Sequence, residues 1–394
     1  MTPPPSQRPV SVVGAGAMGA GIAQVAAMAG HPVTLVDALS GAAEDGVARI
    51  IAALQRLEAK GRLDSARLEA VAERLNTVTR IADLPPSALV IEAAREDLDT
   101  KRTLFAELAR HQPADTVLAT NTSSLDITAI AEGTPGAHRV LGLHFFNPPP
   151  VMRLVEVVRA EQTSRSVLEA AAELMTAWGK TAVQCASTPG FIVNRVARPF
   201  YGEAQRMLMA GVADAATLDA ALRGAGFRMG PLELTDLIGQ DVNLAVGTSV
   251  WEQTGRDPRY EPTALQRELV ASGRLGRKTG EGIYRYAADG TVDGAAPDEG
   301  RLAELVGGPV ETDPVARTLA MLVNEAVDLV HRGEASPEDV DTAMRLGTNY
   351  PRGPVEWGAQ IGFEVVADQL TALDRAFPGG RYRPSPALRE GLPR

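Results

Sequence analysis

A single cysteine, Cys185, is present in 394 residues. Neither a disulfide framework nor a cysteine-rich metal site is therefore available. No nucleophile motif surrounds Cys185, which reads as a small packing residue. Long apolar runs are missing as well, and none is long enough to span a bilayer. The N-terminus, Met1-Thr-Pro-Pro-Pro-Ser-Gln-Arg-Pro9, has no signal-peptide apolar region and reads as a short disordered tail. Positive charge is in deficit: 39 Lys and Arg face 49 Asp and Glu, for a formal charge of −10 and a pI near 5.2. That balance argues against a nucleic-acid surface. These absences fit a reducing, cytoplasmic setting. Hydrophobic residues at 45% and charged residues at 22% describe a soluble globular chain, long enough for two or three domains.

The most informative stretch runs from Val140 to Glu156. Its first residues read as a buried strand ending at His144. Pro148, Pro149 and Pro150 forbid helix and force a rigid extended loop. Residues 154–158 then read as a second strand, which the loop can bring alongside the first, with Glu156 near His144. An imidazole beside a carboxylate is a general base with fixed tautomer and orientation. The plainer alternative is a core histidine that satisfies a buried acid.

Upstream, the apolar strand Val10-Ser-Val-Val13 runs into Gly14-Ala-Gly16-Ala17-Met18-Gly19 and an alanine-rich helix. Strand, GxGxxG and helix form the dinucleotide-binding context. Gly14 permits the turn, Gly16 lets the backbone approach a pyrophosphate, and Gly19 allows helix to pack on strand. The helix N-terminus, with Ala17 and Met18, then faces the phosphates. A second strand, residues 33–36, ends at Asp37, 18 residues after Gly19. A carboxylate there can accept from a ribose 2′-hydroxyl and repels a 2′-phosphate, so the cofactor is expected to be NAD rather than NADP. A strand-end acid that only caps its own turn is the alternative. Residues 41–60 have helical periodicity and end in the basic cluster Lys60-Gly-Arg62, which reads either as a solvated helix end or as a hold on an anionic substrate arm. Further strands are read over residues 88–93 and 116–119. The second feeds the polar cluster Thr120-Asn-Thr-Ser-Ser124 at a strand's carboxyl end, where doubly wound sheets bind ligands.

Together Gly14 to Ile22, Asn121-Thr-Ser-Ser124, Gly142-Leu-His-Phe-Phe-Asn-Pro148, Leu154-Val-Glu156 and Pro189-Gly-Phe-Ile-Val-Asn-Arg195 resemble L-3-hydroxyacyl-CoA dehydrogenases, in order and at family spacing over about residues 8–286. The resemblance implies His144 as base, Glu156 as its orienter, and Ser123 and Asn194 as hydrogen-bonding partners at the reacting centre. It implies an NAD site lined by Asp37, Glu96, Lys101, Asn121 and Ser123, and an acyl-CoA thioester whose phosphates meet Lys60. Ala53 stands where the family has a CoA-contacting serine.

The C-terminal half repeats itself. Thr188-Pro189-Gly190 reads as a boundary, residues 191–210 as one long helix, and a second copy follows 122 residues later. Glu203 matches Glu325, Asp219 matches Asp341, and Tyr260-Glu-Pro262 matches Tyr382-Arg-Pro384. Ala316 takes the place of Asn194, so the second copy reads as structural. The expected architecture is a Rossmann-type doubly wound α/β domain over residues 1–188, then two all-α units over 189–286 and 311–394. A Gly-, Ala- and Asp-rich linker, 287–310, joins the two. The two units should pack as a pseudo-dimer within one chain, and a homodimer through another surface stays open. The tandem arrangement, with Arg195-Val-Ala-Arg-Pro199 and Leu346-Gly-Thr-Asn-Tyr350, resembles 3-hydroxyadipyl-CoA dehydrogenases of phenylacetate catabolism. 3-Hydroxybutyryl-CoA dehydrogenases are the near alternative, and non-catalytic crystallin-like relatives the alternative of another class. Within this resemblance Arg198, four residues after Asn194, is the candidate for reading a distal carboxylate on the acyl chain. Pairing with Glu203, with another protein carboxylate or with a CoA phosphate is its alternative role.

Overall fold

The computed structural model describes residues 8–392, so the tail read at the N-terminus lies outside the described residues except for Arg8 and Pro9. The chain forms two compact units, Met1–Thr188 and Pro189–Arg394.

In the first unit eight strands make one sheet: β1 Val10–Val13, β2 Val33–Val36, β3 Leu75–Val78, β4 Leu89–Glu92, β5 Val117–Thr120, β6 Val140–Phe145, β7 Leu154–Arg159 and β8 Thr181–Ala186. Their order is β3-β2-β1-β4-β5-β6-β7-β8. The strands from β3 to β6 are parallel, β7 runs antiparallel to β6, and β8 is parallel to β7. The interior strands are buried along their length and mostly apolar, as a sheet covered on both faces requires. The helices of this unit are α1 Ala17–Met28, α2 Ala42–Ala59, α3 Ser65–Ala72, α4 Leu98–His111, α5 Ile127–Ala131 and α6 Arg165–Ala177. Strand order reverses between β1 and β4, and such a switch point leaves a crevice at the carboxyl ends of the strands. Sequence reading passes over β3 and β8, edge strands whose half-exposed residues give little apolar signal.

The second unit is helical and built twice. The first copy comprises α7 Val193–Val196, α8 Arg198–Met209, α9 Ala215–Gly224, α10 Pro231–Ile238, α11 Gln240–Gln253 and α12 Ala264–Ala271. After α13, Glu299–Leu305, the second copy comprises α14 Pro314–His331, α15 Pro337–Gly347, α16 Pro354–Ile361, α17 Phe363–Ala376 and α18 Ala387–Glu390.

Two expectations are corrected here. The single helix read over residues 191–210 is split at Ala197, because Pro199 has no amide proton and its ring crowds the preceding turn. Met321 stands at the matching place in the second copy, and α14 runs unbroken. The linker is partly ordered: Asp298 caps α13 through the Arg301 amide, and Arg301 Nε donates to the Val212 carbonyl at 3.0 Å, pinning α13 to the first copy.

The two copies hold each other through matched residues. Glu203 accepts from Arg317, Arg381 and Tyr382 of the second copy. Glu325 faces Arg195, Arg259 and Tyr260 of the first. Each residue on one side has its repeat counterpart on the other, which gives the pairing two-fold character.

Candidate active site

The hairpin of β6 and β7 sets the central pair. Antiparallel register puts His144 directly opposite Glu156, and Nδ1 lies 2.6 Å from Glu156 Oε2. Both side chains are buried. A proton on Nδ1 donated to the carboxylate leaves the Nε2 lone pair as the basic position. The proline loop between the strands is clamped from two sides. Lys180 Nζ donates to the carbonyls of Pro149, at 2.5 Å, and Met152, at 2.8 Å. A Cβ on Gly21 of α1 would come within 2.8 Å of the Pro149 ring, so helix and loop are in close contact. Burial lowers the pKa of Lys180, whose partners are neutral carbonyls.

Asn121 ties the end of β5 to this hairpin: its Oδ1 accepts from the Phe145 amide at 2.8 Å, next to His144. Behind it lies a buried acidic node. Glu92, at the end of β4, accepts from Lys101 Nζ at 2.6 Å, from the Ala94 amide at 2.6 Å and from Thr120 Oγ1 at 2.7 Å. Glu96 accepts from Thr122 Oγ1 at 2.5 Å, the Ser123 amide at 3.1 Å and Ser124 Oγ at 3.0 Å, with Lys101 Nζ at 3.4 Å. Burial pushes the Glu96 pKa up, but the Thr122 hydroxyl, the Lys101 charge, the Ser124 hydroxyl and the Ser123 amide outweigh it and hold it below the ordinary carboxylate range. Glu96, Lys101 and Ser123 thus form one connected group, which Asn121 joins through its backbone amide, donated to the Glu92 carbonyl at 2.7 Å. Sequence reading missed Glu92 and Lys180, and gave Thr122 only as a member of the polar cluster 120–124. The available signal was an acid closing an otherwise apolar strand, Leu89-Val-Ile-Glu92.

At the switch point, Gly14 has φ +98°, and a Cβ there would lie 2.5 Å from the Ala93 carbonyl oxygen. A Cβ on Gly19 would lie 1.8 Å from the Gly14 oxygen, so α1 sits directly on the turn. Nothing lies within 4 Å of where a Gly16 Cβ would be, and no side chain caps the N-terminus of α1. Ala17 and Met18 open that helix. Open backbone at a helix N-terminus fits a pyrophosphate. Asp37, at the end of β2, accepts the Ala15 amide at 2.7 Å and the Leu39 amide at 2.9 Å. It caps its turn and the glycine loop together, and it stands beside the cradle. These residues fit a dinucleotide.

Lys60 is the exposed C-cap of α2 and takes no carboxylate among the described residues. Asn194 lies on α7 of the second unit, after a turn in which Phe191 adopts φ 48°, uncommon for a bulky residue. Arg198 Nε donates to the Asn194 carbonyl at 2.8 Å. The pairing of Arg198 with Glu203 does not occur: the Glu203 carboxylate is taken by Arg317 and Arg381.

Comparison with known proteins finds relatives that cover both units. Residues 9–188 match the 3-hydroxyacyl-CoA dehydrogenase NAD-binding domain, and residues 190–286 and 314–392 match the C-terminal domain of that family. The chain is 42% identical to the 3-hydroxyadipyl-CoA dehydrogenase of Escherichia coli K12, over 97% of this chain and 96% of that one. Human mitochondrial hydroxyacyl-coenzyme A dehydrogenase is 40% identical, over 70% of this chain and 90% of its own length. A crystal structure of 3-hydroxybutyryl-CoA dehydrogenase from Escherichia coli K12 superimposes with a TM-score of 0.90 at 41% identity, covering 98% of both chains.

Proposed function

The chain belongs to the 3-hydroxyacyl-CoA dehydrogenase family, NAD-dependent oxidoreductases, and from that premise we propose that its substrate is L-3-hydroxyadipyl-CoA, oxidised to 3-oxoadipyl-CoA. The observation that carries the substrate is the full-length match. The Escherichia coli 3-hydroxyadipyl-CoA dehydrogenase aligns with 97% of this chain, whereas the human relative aligns with only 70%. A 3-hydroxybutyryl-CoA substrate is the second reading, favoured by the name of the solved structure that covers 98% of the chain. Steady-state rates on adipyl, hexanoyl and butyryl thioesters test the two. A higher kcat/KM on 3-hydroxyadipyl-CoA than on either other substrate is expected, and a maximum at 3-hydroxybutyryl-CoA reverses the assignment.

NAD, when bound, supplies the hydride acceptor. His144 takes the proton of the substrate hydroxyl at Nε2, and Glu156 stabilises the imidazolium that forms. Ser123 and Asn194 hydrogen-bond the substrate oxygens, where misplacement is costly. Lys60, exposed on the helical hairpin of α2 and α3, is available to CoA phosphate. No helix among the described residues is long and apolar enough to cross a membrane, and a cytoplasmic site of action agrees with the lone cysteine. With both C-terminal copies in one chain, homodimerisation would use a surface other than the one between the copies.

Asp37 makes the enzyme NAD-selective. A 2′-phosphate beside this carboxylate meets a like charge, a juxtaposition that costs several kcal/mol, so kcat/KM for NADP should fall at least about 30-fold below that for NAD. Equal efficiencies would remove Asp37 from cofactor selection.

A further inference from the structure

Repetition sets a charged layer on each side of the contact between the two C-terminal copies, and the two sides are not charged alike. On one side Arg195 and Arg259 meet Glu325 and also Asp328, Glu334 and Asp257. Arg332 and Arg383 pair with Asp328 and Asp257 at the edge. Four guanidinium groups there face four carboxylates. On the other side the matched arginines, Arg317 and Arg381, share the single carboxylate of Glu203.

The repeat shows what became of the missing acids. At the same sequence offset that relates Glu203 to Glu325, Asp328 corresponds to Arg206 and Asp257 to Gly379. A position that supplies a carboxylate on one side therefore supplies a third cation on the other. Arg206 is partly buried on α8, one turn after Glu203. Its Nη2 donates to the Glu261 carbonyl at 3.0 Å, and its Nε is buried without an acceptor. Among the described residues it pairs with no carboxylate, and Glu261, which is exposed, makes no ion pair. Arg381 Nη1 donates to the Pro258 and Arg259 carbonyls at 3.2 and 2.6 Å, so Arg206 and Arg381 grip one short turn from its two ends. Burial and the Arg381 charge pull the Arg206 pKa down, against the opposing pull of Glu203, Tyr382 and Glu261.

Arg206, Arg317, Arg381 and Tyr382 line one cavity of about 410 Å³. Met209 and Phe377, both exposed, line it as well, so it can be reached from solvent. Three guanidinium groups around one paired carboxylate leave this side two positive charges in excess. Cations held together in partly buried ground are costly unless an anion arrives. One dianion would replace the two carboxylates that Asp328 and Asp257 supply on the opposite side. Guanidinium groups match the oxygens of phosphate, and the cavity is large enough to admit an organic group attached to it.

We propose that this cavity binds a phosphate dianion, free or as a phosphomonoester, with Arg206 as its hydrogen-bonding ligand. Arg317 and Arg381, already committed to Glu203, supply supporting charge. The anion bridges the copies, because Arg206 belongs to the first and Arg317 and Arg381 to the second. Binding to the folded chain alone then stabilises the contact between copies by mass action.

Titration of inorganic phosphate into the full-length chain, saturated with NADH at fixed ionic strength and about pH 8, where phosphate is dianionic, tests the site. NADH keeps the glycine loop occupied. Calorimetry should give a Kd below about 1 mM, and a weaker Kd or none overturns the proposal. Arg206→Gln should raise that Kd at least about tenfold, while Lys60→Ala moves it less than about twofold. Unchanged binding in Arg206→Gln, or loss of binding in Lys60→Ala, places the anion elsewhere and sinks the site. If Arg206→Gln does not fold, Met209→Glu decides: it sets a like charge at the exposed rim and should weaken phosphate at least about tenfold. Acetate, a monoanion, should bind wild type at least about tenfold more weakly than phosphate, and equal binding overturns the dianion. Phenyl phosphate separates the two sources. Tighter binding than inorganic phosphate makes the occupant a phosphomonoester, and weaker binding makes it free phosphate.

Discussion

His144→Gln turns over 3-hydroxyacyl-CoA at least about 100-fold more slowly than the wild-type chain, while its affinity for NADH changes little. Glutamine keeps much of the bulk of histidine and an amide that can still meet Glu156, so the hairpin loses little packing. It cannot accept a proton at the position of Nε2. General-base help is worth roughly 10²–10⁴-fold, and the whole of it should go. The NADH site should be spared, because the glycine loop and Asp37 follow β1 and β2, which β4 and β5 separate from the β6–β7 hairpin in sheet order. Steady-state turnover and a fluorescence titration of NADH check the two halves. Wild-type turnover in the variant would remove His144 from the chemistry. Glu156→Gln should act in the same direction and more mildly, since the imidazole survives but loses the carboxylate that fixes its tautomer.

The β6–β7 hairpin was legible because its signals are local and mutually exclusive with other readings. Three prolines rule out helix between two apolar runs, and period two then puts residues 144 and 156 on one face. The glycine loop was legible for the same reason, since Gly14 and Gly19 each answer a separate steric demand at the turn and Gly16 leaves the backbone between them open. What stayed hidden depends on long-range packing. Glu92 matters because β1, β4 and β5 bring Lys101 and Thr120 to it, and no spacing within Leu89-Val-Ile-Glu92 states that. Lys180 is likewise defined by a loop 28 to 31 residues upstream, whose carbonyls it holds. The helix α13 was masked by Gly- and Ala-rich flanks, although Asp298 before Leu302 and Leu305 is a capped, apolar-faced turn. The internal repeat was visible as matched letters. That Arg259-Tyr260 and Arg381-Tyr382 reach across to the opposite copy was not, because a repeat fixes which residues correspond and not which of them meet.

That crossing sets the second large effect. Glu203→Gln should destabilise the helical unit by ~3–5 kcal/mol, the cost of breaking a buried ion pair from one side. Glu203 is fully buried and is the only carboxylate that Arg317 and Arg381 reach among the described residues. An amide in its place leaves two buried guanidinium groups without an anion and turns one N–H group towards them. Glu325, its repeat counterpart, is not equally exposed to this loss. Arg195 also reaches Asp328 at 2.9 Å and Glu334 at 2.5 Å, and Arg259 also reaches Asp257 at 3.2 Å. Glu325→Gln should therefore cost less than half as much. Acid should report the same asymmetry. Burial raises the Glu203 pKa, but Arg381 and Arg317 overcome it and hold the carboxyl at about 2. A depressed carboxylate stabilises the fold above its unfolded pKa near 4.5, and that contribution, ~3 kcal/mol, drains away as pH falls from there towards 2. In Glu203→Gln this part of the acid lability should be missing. Calorimetric melting of the three proteins at pH 7, and of wild type and Glu203→Gln between pH 5 and about 3, makes both comparisons. Equal costs for the two substitutions would mean that the pairs share their load across the pseudo-two-fold axis, and that the extra carboxylates around Arg195 and Arg259 contribute nothing.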